Sequence, residues 1–343
     1  MTNKSFGLDI GTSAIKGVNL GYEKGNFFLS SYSILPTPSR GMLSESPLDQ
    51  EEMAEALRKV TANLKSQSKN VNIALADNQV YTKVIEMPLL SDKELSLAIY
   101  WEAEQYIPVP LSAITLVWSV LKKPQNSQTN EKMQVLIVGA PTGLINKYQK
   151  VLTMAGLNLI SLETEILSII RALVYPGFPQ SIIINIGAVS TSLAIIREGI
   201  LAFTYSIPTG GVAISRSIQT DFGLTSDQSE AYKRAYGISN AGIGQKIGKS
   251  TEPILVSILS EVKKALAFYS QKYKENFSIQ QALLSGGTAR LPGIDLFFAD
   301  NLNMETVIAD PWKKLRNQNI PKELLTDSSD YTIAVGLAMK SYE

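Results

Sequence analysis

The sequence predicts an α/β fold with two similar lobes around a cleft and a subdomain inserted into the first lobe. Residues 5–35 contain three short runs of strand-forming residues, and residues 181–208 repeat this plan. In both places a cluster of glycine and hydroxyl residues follows the first run. Because one supersecondary plan occurs twice, we expect two related lobes. The length of 343 residues allows about two domains of ordinary size.

The rest of the first lobe follows from hydrophobic periodicity. Within residues 49–66, Met53, Leu57, Val60 and Leu64 recur at helical spacing. Acidic residues occupy the first turn and lysines the last, as the helix dipole favours. Residues 71–77 then return to a strand pattern, so the lobe combines a sheet with at least one helix.

The composition changes between residues 80 and 163, where we expect the insertion. Ser91 and Glu94 form a capping box that begins a helix, and the prolines that follow, at 108 and 110, end it. Two strands, 114–121 and 133–141, are joined by a polar loop that is expected to be disordered, 122–132. A helix, 141–156, and a strand, 157–163, complete the segment.

In the second half, helices are expected at 211–223, 226–236 and 252–273. A strand and a glycine-rich turn follow at 281–293, and a closing helix at about 330–342. The expected division is a first-lobe core at 1–82, an inserted partner-binding subdomain at 83–162, a return to the first lobe at 163–180, a second-lobe core at 181–210 and 280–328, a helical second-lobe subdomain at 211–279 and the closing helix at 329–343.

The composition excludes several kinds of chemistry, because the chain contains no His and no Cys. There is therefore no disulfide, thiolate nucleophile, ordinary structural zinc site or Ser-His-Asp triad. Carboxylates, hydroxyls, lysines, backbone amides and a hard cation such as Mg²⁺ remain available. The net charge of +1 gives no reason to expect a nucleic acid partner. No signal peptide or membrane span is evident, so a cytoplasmic location is expected.

Three turns could carry chemistry. The first places Asp9 before Gly11, Thr12 and Ser13, where amides and hydroxyls can cradle phosphate and the carboxylate can hold hydrated Mg²⁺. An ordinary hairpin turn is the alternative. The second turn and the third follow buried strands and contain, respectively, Asn185, Gly187, Ala188, Val189 and Ser190, and Gly286, Gly287 and Arg290. A pair on a predicted helix, Glu230 and Lys233, shares one face, as many solvated surface ion pairs also do.

The order of these motifs resembles the actin-like ATPase superfamily, which has a ribonuclease H-like fold and includes actin, heat-shock chaperones, sugar kinases and FtsA. The resemblance implies ATP and Mg²⁺ as cofactors. It implies that the first two turns hold phosphates and Mg²⁺, the Glu-Lys pair reaches the ribose and the glycine pair touches the adenosine. The residues implied in nucleotide binding are Gly11, Thr12, Ser13, Lys16, Gly187, Ala188, Val189, Ser190, Gly210, Gly211, Glu230, Lys233, Gly286, Gly287 and Arg290.

The insertion resembles that of the PilM family of type IV pilus assembly proteins, which are similar to FtsA. The resemblance implies a groove beside this FtsA-type insertion that takes the N-terminal cytoplasmic tail of the inner-membrane protein PilN. It also implies attachment to the membrane only through that partner, contact with pilus motor and platform proteins, and self-association. The candidate groove residues are Met87, Pro88, Leu89, Leu90, Leu95, Ile99 and Trp101. Each could equally be a core residue.

One position departs from the superfamily. Asn185 stands where Asp is usual, so it offers no charge to Mg²⁺ and hydrolysis is expected to be weak or absent. Asp9, Asn185 and Glu165 are the candidate catalytic residues, with Glu165 or Glu163 able to position a water. An FtsA-like polymer-forming protein and a small-molecule kinase are the alternatives. FtsA carries an amphipathic tail that the chain end does not resemble, and the zinc-dependent kinases need His and Cys.

Overall fold

The computed structural model describes residues 4–124, 132–239, 241–273, 278–316 and 320–343. Most of the polar loop expected at 122–132 lies outside these residues. The strands are β1 (Phe6–Ile10), β2 (Ala14–Glu23), β3 (Asn26–Pro36), β4 (Asn70–Leu75), β5 (Tyr81–Met87), β6 (Ile114–Lys122), β7 (Met133–Pro141), β8 (Asn158–Thr164), β9 (Ser181–Ile186), β10 (Thr191–Arg197), β11 (Ile200–Ile207), β12 (Gln281–Ser285) and β13 (Glu305–Ile308). The helices are α1 (Pro47–Leu64), α2 (Asp92–Tyr106), α3 (Thr142–Met154), α4 (Glu165–Leu173), α5 (Gly211–Phe222), α6 (Ser226–Tyr236), α7 (Gly242–Lys272), α8 (Ile294–Leu302), α9 (Lys322–Thr326) and α10 (Thr332–Met339).

Two five-stranded sheets share one topology. The first has the order β3-β2-β1-β4-β8 and the second the order β11-β10-β9-β12-β13. In both, the first strand pairs antiparallel with its hairpin partner and parallel with a later strand. The two-lobed α/β fold expected from the repeated strand plan is confirmed.

A separate three-stranded sheet, with the order β5-β7-β6, forms the inserted unit. Its α2 begins with the expected capping box, in which the Ser91 hydroxyl accepts from the Glu94 amide and the Glu94 carboxylate accepts from the Ser91 amide. By contrast, β8 pairs parallel with β4, and α3 packs into the first-lobe core. We therefore propose that the insertion ends with β7 rather than at residue 162. Local patterning shows that a strand exists but not which sheet it joins.

Two helix boundaries differ from expectation. α7 begins at Gly242 and continues through Pro253, whereas the sequence predicted a start near 252. Proline lacks the amide that bonds to the carbonyl four residues earlier, but Ile247 before it and Leu255 after it lie in one buried cluster, which holds the two parts together. α10 is shorter than the expected 330–342, because 3-10 turns flank it on both sides.

α4 and α10 pack closely together, in a buried cluster that they share with strands of both five-stranded sheets. A Cβ at Gly336 of α10 would collide with the Ser168 carbonyl oxygen of α4, so only glycine allows this approach. α10 also packs against β1, where a Cβ at Gly7 would collide with the Ala334 carbonyl oxygen. The strand that carries Asp9 and the segment before α10 therefore meet at one place. Within the described residues, no helix is long and apolar enough to span a membrane.

Candidate functional site

The turns after β1 and β9 have the same hydrogen-bonding pattern. The Gly11 amide donates to the Ala14 carbonyl oxygen at 3.1 Å, and the Gly187 amide donates to the Ser190 carbonyl oxygen at 2.9 Å. Thr12 and Ser13 are exposed at the tip of the first turn. The two clusters singled out in the sequence thus form equivalent turns in the two lobes.

The second turn is joined to the beginning of α5. The amide of Gly211, the first residue of α5, donates to the Gly187 carbonyl oxygen at 2.9 Å, and the Val212 amide donates to that of Ala188 at 2.8 Å. A Cβ at Gly210 would lie 2.6 Å from the Gly187 oxygen, so a side chain there would displace the turn. A helix N-terminus beside a glycine turn favours anions.

Lys16 of β2 joins the first lobe to the segment before α10. Its Nζ lies 2.8 Å from Asp330 Oδ1 and 3.5 Å from Asp9 Oδ2. Burial raises the pKa of Asp9 more than Lys16 lowers it. Burial alone would lower the pKa of Lys16, but Asp9 and Asp330 outweigh it and raise this pKa above its usual range.

The third motif comes from the second lobe and meets the same segment. Arg290 Nη1 lies 2.9 Å from Asp327 Oδ1 and 3.4 Å from Asp330 Oδ2. The Gly286 amide donates to the Ser329 carbonyl oxygen at 3.0 Å. Asp330 therefore receives one cation from each lobe, Lys16 from the first and Arg290 from the second.

Two further carboxylates surround the start of α4. Asp77 follows β4 and accepts from the Ile166 amide at 3.3 Å. Burial raises the pKa of Asp77 to about 6, against hydrogen bonds that lower it. Glu165 has a pKa well above its ordinary value, because of burial and then the negative charges of Asp77 and Asp9. A protonated carboxyl can donate a hydrogen bond to a water or a phosphate oxygen.

Asn185 is the next-to-last residue of β9 and is buried, with 3% of its surface exposed. Within the described residues its Oδ1 has no hydrogen-bond partner. A buried amide oxygen without a protein partner can accept a hydrogen bond from a water or a ligand bound beside it. This oxygen therefore lies close to Gly286, and no described residue forms a hydrogen bond with it.

Glu230 and Lys233 of α6 form the ion pair that their spacing predicts. Lys233 Nζ lies 2.6 Å from Glu230 Oε2 and 2.9 Å from the Ser215 hydroxyl of α5. It also donates to the Gly211 carbonyl oxygen at 3.4 Å, which links the pair to the second turn. Although Glu230 raises the pKa of Lys233, burial outweighs it and lowers this pKa. The pair is a half-buried part of the cleft rather than a solvated surface contact.

These residues fit a nucleotide with its own metal better than a metal site built by protein alone. No group of three acidic side chains in the described part of the chain could hold a metal ion. Mg²⁺ keeps several waters and commonly takes one or two carboxylates together with substrate phosphates. Asp9 supplies one such carboxylate, and the Asn185 oxygen without a partner could accept from a metal-bound water.

The candidate groove residues fall into two groups. Met87, Leu95 and Ile99 are buried in the small core between α2 and its sheet, and Leu90 packs against that core. Pro88, Leu89 and Trp101 are exposed. The first group thus takes the alternative role left open by the sequence, that of core residues.

Two functional candidates were missed by the sequence. Asp330 and Asp77 lie outside the glycine-rich motifs, and only the fold brings them to Lys16 and Glu165. In the sequence, the one feature that could have indicated Asp330 is its position just before the apolar residues of α10.

The fold and the paired turns define an actin-like ATPase fold. MreB 5 of Spiroplasma citri bound to AMPPNP has this fold, at a TM-score of 0.52 and 14% identity over 100% of this chain and 96% of that one. The ethanolamine utilization protein EutJ from Carboxydothermus hydrogenoformans has it at a TM-score of 0.58 and 16% identity, over 98% and 89%.

The model of the family described as type IV pilus assembly protein PilM matches residues 7–342. The chain belongs to this family. A solved PilM-PilN type IV pilus biogenesis complex matches at a TM-score of 0.87 and 25% identity, over 99% of both chains. The cell division protein FtsA of Streptococcus pneumoniae is 22% identical over 327 residues, which is 84% of this chain and 71% of that protein.

Proposed function

We propose that this protein is a nucleotide-dependent scaffold of type IV pilus assembly. It binds ATP with Mg²⁺ between its lobes and holds the cytoplasmic N-terminal tail of a PilN-type inner-membrane protein on its inserted subdomain. The observation that carries the proposal is the likeness to a PilM-PilN complex over 99% of both chains. The scaffold lies in the cytoplasm, reaches the membrane only through this partner and links the platform to the pilus motor.

Nucleotide binding rests on the paired turns. The amides at the tips of the two turns and the exposed hydroxyls of Thr12 and Ser13 hold the phosphates, while Asp9 orients the hydrated Mg²⁺ that the nucleotide brings. The positive charge of Lys16 neutralises part of the negative charge of the phosphates. The Glu230–Lys233 pair lies beside the start of α5, where it can reach the ribose. Asn185 contributes no charge, so the nucleotide acts mainly as a ligand that holds the lobes together.

Partner binding rests on an unusual concentration of exposed apolar side chains. In the described part of the chain, 24 large apolar residues are exposed, and eight of them lie within residues 81–141. This stretch is less than a fifth of the chain but holds a third of these residues. This concentration of exposed apolar side chains in one subdomain favours it as the place where a partner binds.

The edge strand of the subdomain is suited to an extended tail. β6 pairs with β7 on one side and with no other described strand. It exposes apolar side chains on both faces, with Val117 on one face and Trp118 and Val120 on the other. Charged residues and prolines usually protect a free edge strand against pairing, and the first eight residues of β6 contain neither. An extended peptide can add here as a fourth strand through backbone hydrogen bonds.

The subdomain contacts the second lobe as well, which gives the nucleotide a route to the partner. Leu136 of β7 shares a buried cluster with Ile196 of β10 and Leu201 of β11. Lys122 at the end of β6 pairs with Glu198 in the β10–β11 turn at 2.6 Å. A change in lobe closure therefore also changes the contacts that support β6, the strand proposed to bind the tail.

The test is a calorimetric titration with a synthetic peptide of the first residues of the partner's tail. The parent protein should bind it, and Val117→Lys should weaken binding at least about tenfold by charging the edge strand. Ile160→Lys is the matched control, because Ile160 is similarly exposed on β8, at an edge of the first sheet. Equal binding by the two variants would refute the β6 site, and no binding by the parent would refute the scaffold.

A polymer-forming role of the FtsA type is the second candidate. It is favoured by the match to FtsA over 84% of this chain. Sedimentation with nucleotide, as a function of protein concentration, tests for the self-association that this role requires.

A further inference from the structure

The segment that follows β3 is joined to the first turn of the candidate nucleotide site. The Thr37 hydroxyl donates to the Gly11 carbonyl oxygen at 2.6 Å, and the Thr37 amide donates to the Ser13 carbonyl oxygen at 3.1 Å. β3 runs parallel to β1, because each pairs antiparallel with β2, so both strands end at the same edge of the sheet. The segment from Thr37 onward therefore lies beside the turn whose tip carries the exposed hydroxyls of Thr12 and Ser13.

A tight turn then brings Arg40 back toward Thr37. The Gly41 amide donates to the Pro38 carbonyl oxygen at 2.9 Å, and Gly41 has a φ of +48°. A Cβ at Gly41 would lie 3.2 Å from Thr37 Cγ2, so the end of this turn packs against the residue that contacts the phosphate turn. The next residue, Met42, is buried in the first-lobe core. The backbone of Arg40 is therefore held on both sides, close to the candidate nucleotide site.

The side chain of Arg40 is an unpaired cation. Arg40 is exposed, and among the described residues its guanidinium forms no hydrogen bond and no ion pair. The three cations already placed at the site, Lys16, Arg290 and Lys233, are each paired with carboxylates. Each of these three would have to exchange a carboxylate for a phosphate, whereas Arg40 can bind a phosphate directly.

We propose that Arg40 contacts the terminal phosphate of a bound nucleoside triphosphate and thereby distinguishes it from a diphosphate. This role rests on the proposed nucleotide binding, in which the ribose lies at the Glu230–Lys233 pair of the second lobe. The phosphate farthest from the ribose is then the one that reaches the first-lobe turn and Arg40. The planar guanidinium can donate to two phosphate oxygens at once, which the ammonium group of a lysine does not match.

The test compares AMPPNP, a triphosphate analogue that resists hydrolysis, with ADP, each with Mg²⁺, by calorimetric titration. The parent should bind AMPPNP at least about tenfold more tightly than ADP. Arg40→Ala should remove most of this preference, because it weakens AMPPNP binding and leaves ADP binding within about twofold of the parent. Arg40→Lys keeps the charge but loses the paired hydrogen bonds, so it should retain part of the preference.

Arg316→Ala is the matched control. Arg316 is also exposed, and its amide donates to the Phe27 carbonyl oxygen at the opposite end of β3, so its loss should leave both affinities unchanged. An Arg40→Ala protein that keeps the parent's ratio of affinities, or that binds both nucleotides equally weakly, would overturn the role of Arg40 alone. No binding of either nucleotide by the parent would refute nucleotide binding and this role together. Thermal unfolding checks that the variants are folded.

Discussion

Lys16 Nζ lies 2.8 Å from Asp330 Oδ1, so the lysine expected to meet phosphate is held by a carboxylate from the far end of the chain. Arg290 approaches the other oxygen of the same carboxylate from the second lobe. Asp330 thus stands between the two lobes as a shared anion. A nucleotide phosphate that enters the cleft brings a second anion to the same cations.

Asp330→Asn should make the protein depend on nucleotide for stability. The lysine side chain is 9% exposed, and loss of one partner of a buried pair costs roughly 2–3 kcal/mol when the other carboxylate, Asp9, remains. Phosphate replaces the missing anion, so the rise in melting temperature on adding MgATP should be larger in the variant than in the parent. Differential scanning fluorimetry measures both.

Asp327→Asn is the control for this prediction. Among the residues that the structure describes, Asp327 forms an ion pair with Arg290 alone, and its side chain is 36% exposed, so its loss should cost less than about 1 kcal/mol. If Asp330→Asn instead removed nucleotide binding altogether, Asp330 would itself contact the nucleotide. It would then not be an anion that the phosphate replaces beside Lys16.

Asp9→Ala should lower nucleotide affinity at least about tenfold when Mg²⁺ is present. The carboxylate orients the hydrated metal, so chelation of Mg²⁺ should bring the parent down to the affinity of the variant. Titration with and without chelator measures this, with Asp221→Ala, an exposed residue of α5, as the control. An Asp9→Ala variant that binds MgATP as tightly as the parent would show that Asp9 does not serve the metal.

Asn185→Asp should raise the rate at which the protein releases phosphate from ATP. The new carboxylate adds charge beside the second turn, where the Asn185 oxygen now has no described partner. It should also lower stability without Mg²⁺, because an unpaired charge would be buried. Phosphate release is measured colorimetrically, and the added change Asp9→Ala should cancel the gain. An unchanged rate would mean that this Asn does not limit hydrolysis.

Asp77→Asn should flatten the pH dependence of stability. The pKa of Asp77 is raised from its ordinary 3.8 to about 6, so between these values the folded state binds more protons than the unfolded state. The free energy of unfolding of the parent should therefore fall as the pH rises from about 4 to about 6. The variant keeps an oxygen for the Ile166 amide but carries no charge, so it should lose this fall and be more stable at pH 7.

Urea unfolding at several pH values measures this effect. Asp221→Asn, at an exposed position, should leave the parent profile intact. A profile as steep in Asp77→Asn as in the parent would assign the pH dependence to another group, with Glu165 the next candidate.

The sequence predicted the features that depend on local order. Equivalent hairpin turns, the Ser91 capping box and the Glu230–Lys233 pair all lie within a few residues, and all were found. The approach of Asp330 to Lys16 was not predictable, because it depends on packing of α10 against β1. Nor could apolar residues of α2 be divided between core and surface, since both faces of the helix are apolar and periodicity does not tell which one meets the sheet.

The central claim is that nucleotide in the cleft governs partner binding on the inserted subdomain. Its most direct test is the affinity of the tail peptide with and without MgATP. The control is the double variant Lys122→Cys with Glu198→Cys, bridged by a bismaleimide. Because the natural sequence has no Cys, the two introduced residues are the only thiols that can react. We predict that MgATP tightens peptide binding at least about fivefold in the parent and not in the bridged protein. Equal peptide affinity in the parent with and without MgATP would contradict the account.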